Sequence, residues 1–134
     1  MSDFSTYSAD QFRNHLFRTA SFSKPSALYV SAHTGNPGAT GASEVSNGSY
    51  ARVQNDPGNA NWTDETPAGQ TKNAVDIVFP TSWAATVTYA GLWDASSGGN
   101  YLGRAQLTTP KSVTSADTLT FEAGALTFTF TPAT

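Results

Sequence analysis

The chain closes on a period-two pattern that leaves little choice of local structure. From Ala125 to Thr131 it reads ALTFTFT, apolar residues and threonines in strict alternation. Successive side chains of a strand point to opposite faces, so Leu126, Phe128 and Phe130 share one face and Thr127, Thr129 and Thr131 the other. The pattern predicts a half-buried antiparallel strand. Its outer face carries hydroxyls where Lys or Glu is usual, a surface that is cheap to desolvate against another protein. Upstream the same pattern repeats. Val87–Trp93 alternates, Asp94–Asn100 (DASSGGN) is a hairpin connection with an Asx-turn residue and two glycines suited to positive φ, and Tyr101–Leu107 returns. Lys111–Thr114 and Leu119–Phe121 then lead through the Glu122–Gly124 turn to the last strand.

The first two-thirds of the chain adds fewer strands and longer connections. Ala27–His33 is the first clear strand, Tyr50–Gln54 a second, and Asn73–Phe79 a third that puts Val75, Ile77 and Phe79 on one face before Pro80 stops it. The loop at 34–49 holds three consecutive Gly-X-Y triplets, too few for a collagen helix, and is read as an ordinary exposed loop. A second loop spans 55–71, with Trp62 inside it as a plug on the core or an interface anchor. Trp83 and Trp93 are read as core. Near the start, Ser8 with Gln11 resembles a capping box, predicting a helix over 9–17 with Ala9, Phe12 and Leu16 on one face. A helix this short must dock on something to persist. The count of about seven or eight short strands between turn signals predicts an all-β fold, an antiparallel β-sandwich of Ig-like or jelly-roll-like type. The expected division is an arm with a short helix at 1–22 and the sandwich at 23–134.

Composition narrows the function classes. At 134 residues the chain is expected to form one domain around its eight Phe, five Tyr and three Trp. Only 13% of residues are charged, about half the usual share, and Ser, Thr, Gly and Ala take their place. Seven Lys and Arg are scattered and the net charge is −3, which argues against nucleic-acid binding. Without cysteine there is neither a disulfide nor a thiolate metal site. No stretch approaches a membrane span and no leader is read in the first twenty residues, so the expectation is a soluble protein made in a cytoplasm.

No constellation for catalysis emerges. His15 and His33 lack neighbours at metal-ligand spacing, the aspartates are spread singly, and Asp64–Glu65 lack the D-x-D-x-D run of a calcium loop. Asp94 and Asp117 have turn roles. There is no nucleophile elbow, phosphate loop or dinucleotide fingerprint. The expectation is a non-enzymatic protein with no cofactor and no metal.

The run from Ala27 to Val53, ALYVSAHTGNPGATGASEVSNGSYARV, resembles the opening of a family of small tailed-bacteriophage virion proteins. The likeness continues through Val75–Pro80, Trp83–Gly103 and Ala105–Phe130, nearly the whole chain. It implies a virion location, synthesis in the host bacterial cytoplasm and partners among phage structural proteins, either the major capsid protein or tail proteins. Homo-oligomerisation is expected, a trimer being common among particle-surface β proteins. The main expectation is a head decoration protein that braces the capsid. The alternative is a tail-fibre or minor tail protein that contributes to host attachment, with a host surface glycan as ligand. Phe4, Tyr7, Phe12, Leu16 and Phe17 are the expected docking residues; Tyr50 and Trp62 are the loop-surface candidates for stacking on sugar.

Overall fold

A computed structural model describes residues 3–64 and 69–130. They form one helix and eight strands: α1 (Thr6–Phe17), β1 (Tyr29–His33), β2 (Val53–Gln54), β3 (Gln70–Lys72), β4 (Ile77–Val78), β5 (Ala85–Trp93), β6 (Tyr101–Val113), β7 (Thr120–Phe121) and β8 (Thr127–Thr129). All strand pairs are antiparallel. One sheet has the order β2-β1-β5-β6, and two small sheets pair β3 with β8 and β4 with β7. The fold is an all-β sandwich with a short N-terminal helix. Val30, Ala32, Val87, Ala90 and Ala105 from the large sheet meet Ile77, Phe79, Phe121, Leu126 and Phe128 in one core, with Trp83 buried among them.

The C-terminal alternation is present: Leu126 and Phe128 are buried while Thr127 and Thr129 are half-buried. Thr131 lies outside the described residues. The hairpin at 94–100 forms as predicted. Asp94 N–H donates to the Asn100 carbonyl, and the Asp94 carboxylate accepts from Asn100 N–H at 2.7 Å. Its Gly98 and Gly99 adopt φ of 61° and 73°.

Other elements depart from the sequence pattern for tertiary reasons. Alternation places Val75 on the buried face of the third strand, but the chain bends at Ala74–Val75, leaving Val75 exposed and only Ile77–Val78 as strand. Tyr101–Leu107 and Lys111–Thr114, expected as separate strands, form the single strand β6. A bulge accommodates Pro110, because Val87 to Tyr89 of β5 spans Lys111 to Gln106 of β6. The shift also explains why β5 buries Val87 and then Ala90 instead of alternating strictly. The turn after β7 does not close a hairpin. It carries the chain from the β4–β7 sheet to the β3–β8 sheet.

Asn73 holds that crossing together and is fully buried. Its amide nitrogen donates to the carbonyls of Val75 and Glu122, both at 2.9 Å, and its amide oxygen accepts from Leu126 N–H at 2.9 Å. Its own carbonyl accepts from Gly124 N–H. Replacing Asn73 with Ala leaves the buried Leu126 N–H and the partly buried Val75 and Glu122 carbonyls without this partner, and an unmet buried group costs about 1–3 kcal/mol. We expect Asn73→Ala to lower unfolding free energy by more than about 3 kcal/mol in denaturant melts, whereas Val75→Ala, at an exposed site, changes it by less than about 1 kcal/mol.

Candidate docking surface

The helix begins one turn earlier than the Ser8–Gln11 signal implied. Ser5 is the N-cap, its side chain accepting from Ser8 N–H at 3.0 Å. Ser8 is instead the buried anchor of α1, its hydroxyl donating to the Leu102 carbonyl at 2.7 Å. Asp3–Ser5, just before the helix, are built into the sheets. Asp3 N–H donates to the Thr129 carbonyl on β8, Arg104 N–H on β6 donates to the Asp3 carbonyl, and Ser5 N–H donates to the Leu102 carbonyl. The Asp3 carboxylate accepts from Thr129 N–H at 2.9 Å and pairs with Arg104 at 3.5 Å. Phe4 stacks on Phe130 with centroids 3.9 Å apart. Asp3–Ser5 therefore acts as an extra strand bridging the large sheet and the β3–β8 sheet.

This anchoring uses small polar groups and leaves the large apolar side chains of α1 outside. Phe12 is 53% exposed, Leu16 56% and Phe17 78%. Phe4, Phe12, Phe22, Leu28, Leu102 and Phe130 line an apolar groove of about 210 Å³ beside the helix. Tyr7 packs edge-on to Phe22 and is half-buried. Of the five expected docking residues, the structure thus brings Phe4 and Phe12 to one groove, leaves Leu16 and Phe17 exposed further along the helix, and sets Tyr7 against Phe22 of the following segment. Full burial of such a side chain stabilises by about 1.5–3 kcal/mol, so covering this face contributes several kcal/mol before the cost of association.

The residues of the Ala27–Val53 run converge on a second feature. Arg52 makes a two-pronged pair with Glu44, with Nε to Oε2 and Nη2 to Oε1 both at 2.9 Å. Its remaining arm donates to the carbonyls of Ala95 and Gly98, and its guanidinium lies 3.7 Å above the Trp93 ring. The Tyr50 hydroxyl donates to Glu44 at 2.8 Å and accepts from Ala32 N–H. Trp93 Nε1 donates to Ser31 Oγ at 2.9 Å. The His33 ring joins Ser31 Oγ and the Ala42 carbonyl, each at 2.7 Å. Because a carbonyl only accepts, Nδ1 carries the proton and Nε2 accepts from the Ser31 hydroxyl. Ser31 and His33 stand at the distance of a nucleophile and its base, but both are fully buried, and no substrate atom reaches them in this arrangement.

What the network does is fix the glycine-rich loop. Thr34 N–H donates to Ser43 and Val45 N–H to Ala32, so the loop at 34–49 returns to β1. Gly41, at φ 85°, passes so close to Trp93 that a Cβ there would sit 2.8 Å from the ring. Burial holds His33 below the ordinary imidazole value. Burial pushes the Glu44 carboxyl up, but the Arg52 and Tyr50 hydrogen bonds outweigh it and hold it below the usual carboxylate range. For both groups the unfolded chain binds protons more readily, so stability falls as pH drops below each ordinary value. The melting temperature should decline from about pH 6.5, where His33 protonates in the unfolded chain, and more steeply below about pH 4.3 as Glu44 joins. In His33→Gln the upper part of that decline should disappear, as followed by thermal melts across pH.

Tyr50 packs on Phe79 with near-parallel rings and against the edge of Trp83. Trp62 packs edge-on to Phe128 and donates Nε1–H to the Asn55 carbonyl. Both loop candidates thus help to hold the core. His15 is exposed and accepts from Phe22 N–H, and Glu65 of the Asp64–Glu65 pair lies outside the described residues. Among the described residues no group of three or more His, Cys, Asp or Glu is placed to hold a metal, and no helix is long and apolar enough to cross a membrane. The sequence reading missed Glu44, Arg52, Ser31 and Asp3; Trp93 for Ser31, the Ala95 and Gly98 carbonyls for Arg52, and Arg104 and Thr129 for Asp3 lie far along the chain, while Glu44 finds Tyr50 and Arg52 within the 27–53 run, whose density of polar residues was the available signal. The Tyr101 hydroxyl is buried with no hydrogen-bond partner, and burial raises its pKa. Tyr101→Phe removes that unmet group at no cost in shape, so the melting midpoint should hold or rise, by up to about 1 kcal/mol in stability.

The polar residues of this sandwich lock its loops, and apolar residues stay exposed on its short helix. The comparison with known families gives its kind: the model described as Podophage GP4 fiber I protein gp80 matches residues 3–129. The chain belongs to that family of phage structural proteins, in keeping with the resemblance seen in its sequence. A search of curated proteins returned no match.

Proposed function

We propose that this chain is a non-enzymatic structural part of a podophage fibre, held in the virion by the apolar face of α1. The family description favours this tail-fibre placement, the alternative from the sequence, over the head-decoration role that the sequence alone made the main expectation. The observation that carries the docking role is the exposure of Phe12, Leu16 and Phe17 on a helix anchored to its own sheet by serines. In this reading residues 1–22 are the docking arm and the sandwich from residue 23 is the body it attaches. The glycan role has less support, because Tyr50 and Trp62 are engaged in core packing.

Deleting the arm would also remove the Asp3–Ser5 strand, so point variants are the sharper probe. Phe12→Glu with Leu16→Glu, carried on the phage genome, should leave the purified chain with an unchanged melting temperature. The amount in purified virions should fall by at least about tenfold, as expected when charge is placed at the centre of an apolar contact. Unchanged incorporation overturns the docking role. Immunogold labelling of intact virions should mark tails; gold spread over heads overturns the fibre placement in favour of decoration.

A further inference from the structure

We infer that the Asn47–Gly48 pair is a site of spontaneous backbone modification, which the folded corner around it holds off and local opening releases. The inference is independent of the docking role. Eight asparagines occur in the chain, and Asn47 is the one followed by glycine. Glycine lacks the Cβ that would shield its own backbone nitrogen, so the Gly48 nitrogen can reach the Asn47 carboxamide. In the reaction that nitrogen attacks Asn47 Cγ. The N–Cγ bond forms, the Cγ–Nδ2 bond breaks, and Nδ2 leaves as ammonia with the proton that the Gly48 nitrogen carried. Water then opens the cyclic imide. Cleavage of its Cγ–N bond leaves an aspartate, and cleavage of its other C–N bond leaves an isoaspartate, whose backbone runs through Cγ.

The fold demands both residues for its shape. Gly48, at φ 58°, passes so close to the segment before β5 that a Cβ there would run into the Ser82 carbonyl oxygen and lie 3.0 Å from Trp83 Cα. Asn47 clasps the next residue of that segment. Its Nδ2 donates to the Ala84 carbonyl at 2.9 Å, and its Oδ1 accepts from Ala84 N–H at 3.0 Å. The side chain thus pairs with one backbone residue as a neighbouring strand would. Two structural demands on adjacent positions create one chemically labile dipeptide.

The same bonds guard it. Attack requires the carboxamide to turn toward the Gly48 nitrogen and Cγ to become tetrahedral, which the clasp on Ala84 prevents. The backbone is held as well, by Tyr50 N–H on the Asn47 carbonyl and Ser49 N–H on the Ser82 carbonyl. Asn47 and Gly48 are exposed, so water reaches the imide once it forms. After modification the clasp cannot be remade. The aspartate product sets a carboxylate oxygen against the Ala84 carbonyl, an acceptor against an acceptor. The isoaspartate product lengthens the backbone where Gly48 has no room. Trp83 follows Ser82 directly and is buried against Tyr50 and Phe79, so a change at this corner reaches the core. A transient opening of the corner is thereby recorded as a lasting change in the chain.

Incubation of the purified full chain in mildly alkaline buffer made with heavy-oxygen water, folded in one arm and in denaturant in the other, tests it by peptide mass spectrometry. In denaturant the Asn47 peptide should take up heavy oxygen, as aspartate and isoaspartate, faster than the peptides holding Asn14, Asn59 or Asn100. In the folded arm its rate should be at least about tenfold lower, because only the opened fraction reacts. Equal rates in the two arms overturn the guard. A rate in denaturant no higher than at the other asparagines overturns the site. Asn47→Asp supplies the aspartate product in every copy, and its melting midpoint should fall below that of Asn59→Asp, the same change at another exposed position. Failure of Asn47→Asp alone to fold supports the lasting effect on the corner, and equal midpoints overturn it. Both rates are read on the unaltered chain, so they decide the site and its guard whether or not the variant folds.

Discussion

The sandwich depends on one side chain taking the place of a missing strand. The β3–β8 and β4–β7 sheets are two or three residues long per strand, and two-stranded sheets of that size are marginal on their own. They face the large sheet as one layer only because Asn73, at the corner between them, takes up the backbone groups that no ladder reaches. Leu126 and Phe128 sit directly after this junction, and Ile77 and Phe79 on its other side, so most of the core's second layer is positioned from one amide. Hydrophobic burial supplies the driving force, but it has no direction. The directional information is in Asn73, in Arg52 at the loop end and in Asp3 at the sheet seam.

That division explains what could be read from the chain. The alternation through Leu126, Phe128 and Phe130, the Asx turn at Asp94 and the burial of Trp83 follow from local pattern and size, and each is visible within a few residues. The sandwich class and the presence of one short helix follow from the same signals. Asn73, by contrast, looks like any polar residue at a strand start, because its partners at Glu122 and Leu126 lie some fifty positions away. Asp3 meets Arg104 and Thr129 from the opposite end of the chain. The helix start is ambiguous in the sequence for a related reason: Ser5 and Ser8 both sit where a cap would serve, and only the Leu102 carbonyl decides that Ser8 turns inward. The apolar spacing of the docking residues is legible from the chain alone. The groove beside them is not, since Leu28, Leu102 and Phe130 come from three separate elements.

The run from Ala27 to Val53 has a structural meaning that its composition hides. Its Ser, His, Glu, Tyr and Arg resemble the raw material of an active site, yet they satisfy one another and bind the glycine-rich loop to β1 and to the turn after β5. A fully satisfied polar cluster of this kind specifies one loop geometry. The residues of this run that hold shape are therefore separate from the apolar residues exposed on the helix, which lie outside the run.

The long edge of β6 bears on how such a part behaves when crowded. Strand edges recruit other strands, and a component concentrated in an assembly is exposed to that hazard. Here the first half of β6 is capped by Asp3–Ser5, the second half is broken by the bulge at Pro110, and β2 at the far side of the sheet is only two residues long. Runaway polymerisation through the sheets is discouraged at each of these points. In the proposed fibre role, contacts with neighbouring proteins would then be made by side chains, which can be counted and can stop.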